Sequence, residues 1–489
     1  MKVLLWKPGV YDSTRGELPT IGLAILATSI INSGHDVIIA DHHFSPPPAG
    51  QEETAFIELM EREKPDLIGI SAVSHEWRME RVQKALDAAH QSGIPVWVGG
   101  PHAVAFWDIM EKDERVSKVV IGEADGRFEQ ILQSDEKVIR LGRSEVFNEP
   151  SFSHMIDGEN LITYPLFVSR GCHYNCTFCA ATKVFGSRWR GRALEDAFWG
   201  ELDQIAVNHP KCNLIAIIDD AFTQDLEHAK NFLKEYLRRG YPYKVSVFNV
   251  RADYIDDEFL SLLKQTGVET LAVGIETADP EVFRMLRKGE KLETIEKAIR
   301  MIQKVGITPW MNMVIGLPGD NPEAHQRSIE WVLQFDQPRI VQWLIFTPFR
   351  GTPAYEYFVD KGEIEDGYIP EFQGRYEMLP DDGMFDSKDF SRQAKSLAQL
   401  EAYLRCYTPI LILSDKKVRK LCKEHGMWDL YEKWRANAPI ANFLENTVPQ
   451  KIKKGQEIMA PEDYNSILSE FKNDKEFPTD AFVYKSVAP

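Results

Sequence analysis

Thiols are scarce in this sequence, with six cysteines among 489 residues. So few exclude a disulfide-stapled secreted scaffold, and a reducing cytoplasm is the expected compartment. No window reaches the roughly 18 consecutive apolar residues of a membrane span. The opening "MKVLLWKPGV" has too short an apolar run for an export signal and reads as a first strand. Positive charge is short as well: 57 lysines and arginines stand against 74 acidic residues, a net charge of −17. That balance repels phosphate backbones and sets nucleic acid aside as a partner, leaving a small molecule or a peptide open. Repeats at solenoid periods and long low-complexity tracts are also missing. The chain is too long for one ordinary core, so two or three domains are expected.

What is present is alternation. In residues 1–143, "KVLLW" (2–6), "DVIIAD" (36–41), "DLIGIS" (66–71), "VWVGG" (96–100) and "KVVIGE" (118–123) read as buried strands. Helical spacing in 20–34 and 78–92 lies between them. This pattern predicts an α/β, Rossmann-like (flavodoxin-like) parallel sheet of about five strands. Residues 144–165, polar and broken by prolines and glycine, read as a linker. Six more strands follow within 166–365: "LFVS" (166–169), "NLIAIID" (213–219), "YKVSVFN" (243–249), "TLAVGIE" (270–276), "TPWMNMVIG" (308–316) and "VQWLIFTP" (341–348). With helices between them they predict a (β/α)6 partial barrel, whose functional residues gather at the carboxyl ends of the strands. Residues 366–489 read as a mostly helical domain that closes over a substrate. Its aromatics Trp428, Tyr431 and Trp434 are read as core.

Half of the cysteines crowd into "SRGCHYNCTFCA" (169–180). Cys172, Cys176 and Cys179 follow the first strand of the second unit, where thiolates at this spacing can converge on one face of an iron–sulfur cube. Three protein thiolates on four irons leave one iron open. A zinc site is the alternative, but it wants a fourth ligand, and His173 beside Cys172 is awkwardly placed to supply it. A disulfide would leave one thiol over.

Cys-x3-Cys-x2-Cys after a first barrel strand, with Phe178 before the last cysteine, resembles the radical S-adenosylmethionine (radical SAM) enzymes over about residues 160–360. The resemblance implies a 4Fe–4S cluster on the three cysteines. Its open iron chelates SAM, and an external one-electron reductant of flavodoxin or ferredoxin type drives cleavage to a 5′-deoxyadenosyl radical. Strand-end segments match in order: "DDAF" (219–222), "VRAD" (250–253), "GIET" (274–277), "VIGLPGD" (314–320) and "TPFRGTPAY" (347–355). They mark Asp219, Asp220, Arg251, Glu276, Thr277, Gly316 and Thr347, with Phe178, as expected SAM contacts. Taken singly, each polar residue is as readily a strand-end cap or ion pair. The basic "SRWRGR" (187–192) is expected to hold an anionic substrate, to steady the cysteine loop, or to be a solvated salt-bridging loop.

The first unit resembles the cobalamin-binding domain that precedes the barrel in one radical SAM subfamily, over about residues 2–135. Four segments carry the likeness. "LPTIGLAIL" marks Leu18 and Pro19, and "GISAVSH" with its flank marks Ser71, Ser74, His75 and Trp77. "VGGPHA" marks Gly99, Gly100, Pro101 and His102, and "GEAD" marks Gly122 and Glu123, all as expected cobalamin contacts. The loop after the first strand lacks Asp-x-His-x-x-Gly, so no histidine there ligates cobalt; "DSTRG" offers only Thr14, at the wrong spacing. The domain order implies a cobalamin-dependent radical SAM methyltransferase acting on an unactivated carbon. A cyclase or oxidative rearrangement enzyme with the same cofactors, and a zinc- or cluster-stabilised binding protein, are the alternatives. Cys212, Cys406 and Cys422 are scattered, so no auxiliary cluster is expected.

Overall fold

In a computed structural model, residues 1–9, 18–48, 51, 54–71, 76–368, 385–408 and 415–437 are described. The first sheet contains β1 (Lys2–Lys7), β2 (Asp36–Asp41), β3 (Leu67–Ser71), β4 (Val96–Gly99), β5 (Lys118–Ile121) and β6 (Val138–Arg140), in the order β2-β1-β3-β4-β5-β6. Every neighbouring pair is parallel. This is the flavodoxin-like order with one strand added, and the order reverses between β1 and β3. Val3, Leu4, Leu5 and Trp6 are all buried, as a strand covered by helices on both faces requires. The sheet therefore has six strands, not about five. β6 is the three-residue "VIR", too short to carry a periodic signal.

The second unit is built on β7 (Thr163–Leu166), a two-strand ribbon of β8 (Ser169–Arg170) with β9 (Arg190–Gly191), and then β10 (Leu214–Ile217), β11 (Lys244–Val250), β12 (Thr270–Glu276), β13 (Thr308–Ile315) and β14 (Ile340–Ile345). Its six-stranded parallel sheet runs β14-β13-β12-β11-β10-β7, and the end strands β14 and β7 are not paired to each other. The barrel is thus partial. β7 starts inside the segment read as a linker, three residues ahead of the expected strand. Pro165, which suggested a break, pairs with Ala216 in register, and an edge strand tolerates a missing N–H.

Three described helices follow the barrel: Arg392–Cys406, Asp415–Glu424 and Trp428–Ala436. The first covers the free edge of β14. The Trp343 amide donates to Tyr403 Oη at 3.2 Å, the Trp343 carbonyl accepts from Gln399 Nε2 at 2.6 Å, and Val341 O accepts from Thr408 Oγ1 at 3.1 Å. Tyr431 and Trp434 are buried, and Trp434 Nε1 donates to Thr408 O at 2.9 Å. Residues 438–489 of the expected helical domain lie outside the described residues.

The docked helix is also held by His325, whose Nε2 donates to Ala398 O at 3.1 Å. Burial lowers the His325 pKa from 6.5 to about 4. Between those values the unfolded chain binds more protons than the folded one, so stability rises with pH there and is lost as pH falls from 6.5 towards 4. The full window is worth on the order of 3 kcal/mol. His325→Gln keeps a donor but does not titrate. Its melting temperature should drop less than that of wild type between pH 7 and pH 5, and an identical drop would show that His325 is not the acid-sensitive group.

Among the described residues the two units share one hydrophobic core, and two ion-paired zones also join them. After β5, Glu123 pairs with Arg190 and Asp125 with Arg170, the latter at 2.9 Å. After β14, Arg350 reaches Asp108 at 2.6 Å, on the helix Pro101–Glu111 that follows β4. Phe349 packs on Ala105 and Phe106 beside it.

Candidate functional site

The three cysteines sit on the loop between β8 and β9, partly buried and free of disulfides. Asp220 Oδ2 accepts the Gly171 amide at 3.0 Å and so fixes the start of this loop. Gly171 has φ +80, and an added Cβ would stand 2.5 Å from Arg188 O, so only glycine fits. Burial, with a smaller contribution from neighbouring thiols, pushes the Cys176 thiol up to about 12 and the Cys179 thiol to about 11. The three sulfurs therefore share one low-dielectric patch. Lys288 and Arg251 lie close enough to oppose the rise at Cys176.

Among the described residues, no three or more His, Cys, Asp or Glu side chains converge tightly enough for one metal ion. Thiolates on a single zinc share a shell of about 2.3 Å, whereas thiolates on separate irons of a cube stand further apart. Lys288 and Arg251 beside the thiols suit an anionic multi-iron cluster.

Around the triad the strand ends form a buried ion-pair hub. Glu276 ends β12 with φ +71, next to a register shift between Gly274 and Glu276. A non-glycine residue in this left-handed region is strained, and such strain clusters at working sites. Lys288 Nζ lies 3.3 Å from Glu276 Oε1 and 3.1 Å from Glu290 Oε2, and it donates to Gly274 O. Burial alone would lower the Lys288 pKa, but the two carboxylates outweigh it and hold it above the ordinary value. Arg251 forks onto Asp253 at 3.1 and 2.9 Å, donates to Lys288 O at 2.9 Å, and stacks 3.4 Å from the centre of the Tyr174 ring. Tyr174 belongs to the cysteine loop, and its hydroxyl meets that of Tyr254 at 2.6 Å. The sequence reading missed Lys288 and Glu290, which lie in the charged stretch "RKGEK" (287–291), and missed Tyr174 and Tyr254.

The expected SAM contacts divide by what already holds them. Asp219 is buried, accepting Val168 N at 2.8 Å and the Ser169 hydroxyl at 2.6 Å, so its carboxylate shapes the approach to the loop. Arg251 is engaged in the hub. Thr277 bonds Ser328 at 3.2 Å and accepts the Asp279 amide, which caps the following helix. Phe178 packs against the buried cluster that contains Val282, Leu286 and Leu317. Asp220 keeps its second oxygen clear of described protein donors, Glu276 faces the Cys179 environment, and Thr347 is exposed at the end of β14. Gly316 has φ +84 and lies under Lys395, whose Cε an added Cβ would approach to 2.8 Å.

The first sheet ends in small residues side by side: Ser71 pairs with Gly99 in register, and Gly100 and Gly122 follow with φ +82 and +105. An edge of this kind admits a nucleotide tail close to the backbone. At Gly122 an added Cβ would sit 2.1 Å from Leu141 O. Pro101 opens the helix Pro101–Glu111, and Pro19 is buried beside half-exposed Leu18 ahead of the helix Ile21–Asn32. Trp77 is buried in a ladder with His102 and Phe106, at ring separations of 5.7 and 4.9 Å. Glu123 accepts two hydrogen bonds from Arg190 and one from Ser144 N at 2.8 Å. Those bonds engage both of its carboxylate oxygens within the protein. Ser74, His75 and Thr14 lie outside the described residues.

Residues 8–132 match the B12 binding domain family, and residues 166–332 match the radical SAM superfamily. The chain is a B12-binding radical SAM enzyme. Its cofactors are a 4Fe–4S cluster, SAM and cobalamin. The enzyme is 24% identical over 400 residues to an uncharacterized methyltransferase of Pyrococcus horikoshii, covering 73% of this chain and 83% of the relative. It is 22% identical to the anaerobic magnesium-protoporphyrin IX monomethyl ester cyclase of Cereibacter sphaeroides, covering 72% of this chain and 62% of that one. The solved structure of the radical SAM methyltransferase TsrM from Kitasatospora setae, holding tryptophan and a SAM analogue, shares the fold. There the TM-score is 0.57, with 19% identity over 74% of this chain and 76% of TsrM. Among the described residues no helix is long and apolar enough to cross a membrane.

Proposed function

We propose that this enzyme is a cobalamin-dependent methyltransferase that acts on an unactivated carbon of a small molecule or peptide after hydrogen abstraction. One observation carries the reading: the segment after β5 and the helix after β4 meet the β8–β9 ribbon and the segment after β14 at a boundary tied by Glu123–Arg190, Asp125–Arg170 and Arg350–Asp108. The cysteine loop lies at that boundary. A substrate held there lies within reach of both cofactor-binding faces, as a transfer between them requires. The methyltransferase from Pyrococcus horikoshii supports the same reading.

When bound, the reduced cluster supplies the electron that splits SAM, and cobalamin supplies a transferable methyl group. Cys172, Cys176 and Cys179 would hold the cluster. Asp220, Glu276, Gly316 and Thr347 would line the SAM side, and Ser71, Gly99, Gly100 and Gly122 would admit the cobalamin tail. The hub of Glu276, Lys288, Glu290 and Arg251 keeps the charges beside the cysteine loop paired with one another. The ester cyclase relative favours a second reading, in which the same apparatus closes a ring without methyl transfer.

The deciding experiment supplies anaerobic enzyme with hydroxocobalamin, SAM labelled in its methyl group and candidate substrates. The protein should retain about one equivalent of cobalamin per chain, the label should appear on substrate carbon, and a parallel turnover with unlabelled SAM should give a gain of about 14 daltons. An unlabelled cyclised or dehydrogenated product establishes the second reading instead.

A further inference from the structure

The acids after β5, in the segment "GEAD", are paired with arginines of the second unit. β8 and β9 are the two ends of the cysteine loop, paired Ser169 with Gly191 and Arg170 with Arg190. Two residue pairs make a weak ladder for a loop that must hold three ligands in place. Both arginines of that ladder are met by acids from the other domain. Arg190 forks onto Glu123, with one arm at 2.8 Å, and donates to Ser144 O. Arg170 meets Asp125 at 2.9 Å, its guanidinium lying 4.8 Å from the Phe147 ring and 5.0 Å from the Phe167 ring. All four charged residues are nearly inaccessible: Arg170 3%, Arg190 5%, Glu123 7% and Asp125 7% exposed. Breaking a pair this deep leaves a charge uncompensated in low dielectric, so the four residues stay together or separate together.

We propose that Glu123 and Asp125 are positioning residues of the cysteine loop, acting from the B12-binding domain through Arg190 and Arg170. The loop is then held in register by the docked first domain, whether or not that domain carries cobalamin. The assignment rests on the cysteines holding a cluster. It requires that loss of Glu123 be felt at the iron and in the loop rather than at the corrin.

The test uses full-length Glu123→Gln and Arg190→Gln, one from each domain, beside wild type. Reconstituted proteins are exposed to an iron chelator, metal-free proteins to limited proteolysis, and all are titrated with hydroxocobalamin. Both variants should release iron about tenfold faster and be cut faster within residues 181–189, while the cobalamin dissociation constant stays within about twofold. Unchanged iron release and cleavage would overturn the proposal. So would a tenfold weaker cobalamin affinity confined to E123Q, which would return Glu123 to the corrin. If E123Q does not fold, E123D keeps the charge at shorter reach and is read by the same outcomes. Wild-type protein that takes up no iron would sink the cluster reading itself, a result distinct from iron uptake with equal release rates.

Discussion

Cys176→Ala protein, reconstituted without oxygen, should show none of the visible absorbance of an iron–sulfur cluster. It should cleave SAM more than about a thousandfold more slowly than wild type, a loss of about 4 kcal/mol in barrier terms. The size follows from the number of ligands. Only three thiols stand in the loop, and the remaining cysteines, Cys212, Cys406 and Cys422, are buried elsewhere. No spare sulfur is available to the cluster, and a cube held by two thiolates is a labile one. The fold should survive, because the loop is anchored by Asp220, Arg170 and Arg190 rather than by its sulfurs. Anaerobic absorbance, iron and sulfide content, and 5′-deoxyadenosine release are the measurements. Cleavage at the wild-type rate would remove the cluster assignment.

The second large effect concerns stability. Lys288→Met should destabilise the protein by about 3–5 kcal/mol. The ammonium bridges Glu276, which is partly exposed, and Glu290, which is buried and has Arg251 3.9 Å away as its other cation. Removing it leaves Glu276 without its cation and Glu290 with only the more distant Arg251. Pairing it with Glu276→Gln should recover much of the loss, because one of the two carboxylates is then neutral. Chemical denaturation of the metal-free proteins reads both, which keeps cofactor loading out of the comparison. A loss below about 1 kcal/mol for K288M would mean that water reaches the hub and that its burial is not what sets its energy.

How much of this was legible in the sequence depends on the range of each interaction. Strands such as "DVIIAD" and "TLAVGIE" were readable because a parallel strand covered on both faces is a continuous apolar run, a local property. The cysteine loop was readable for the same reason: its ligands lie within one short segment. β6 was missed because three residues carry no period, and β7 was displaced because Pro165 breaks a central strand but not an edge one. Charge partners were not legible. Glu123 and Arg190 are 67 positions apart, and nothing in "GEAD" or "SRWRGR" names the other. Of the uses foreseen for the basic segment, steadying the loop is the one that Arg190 serves, while Arg192 is buried against Glu201. Asp219 and Arg251 were correctly placed at strand ends, but strand-end position alone cannot tell a carboxylate that faces a ligand from one that holds the neighbouring backbone. "RKGEK" reads as surface charge until the β12 bulge folds Glu276 onto Lys288.

The edge of β14 has one more consequence. An open six-stranded sheet ends in a row of backbone groups able to accept a strand from another molecule. Here Gln399, Tyr403 and Thr408 occupy that row with side chains. A side chain satisfies one amide or carbonyl but offers no ladder beyond itself, so the row becomes a dead end for polymerisation. On its β14 side the partial barrel is thus closed to strand addition.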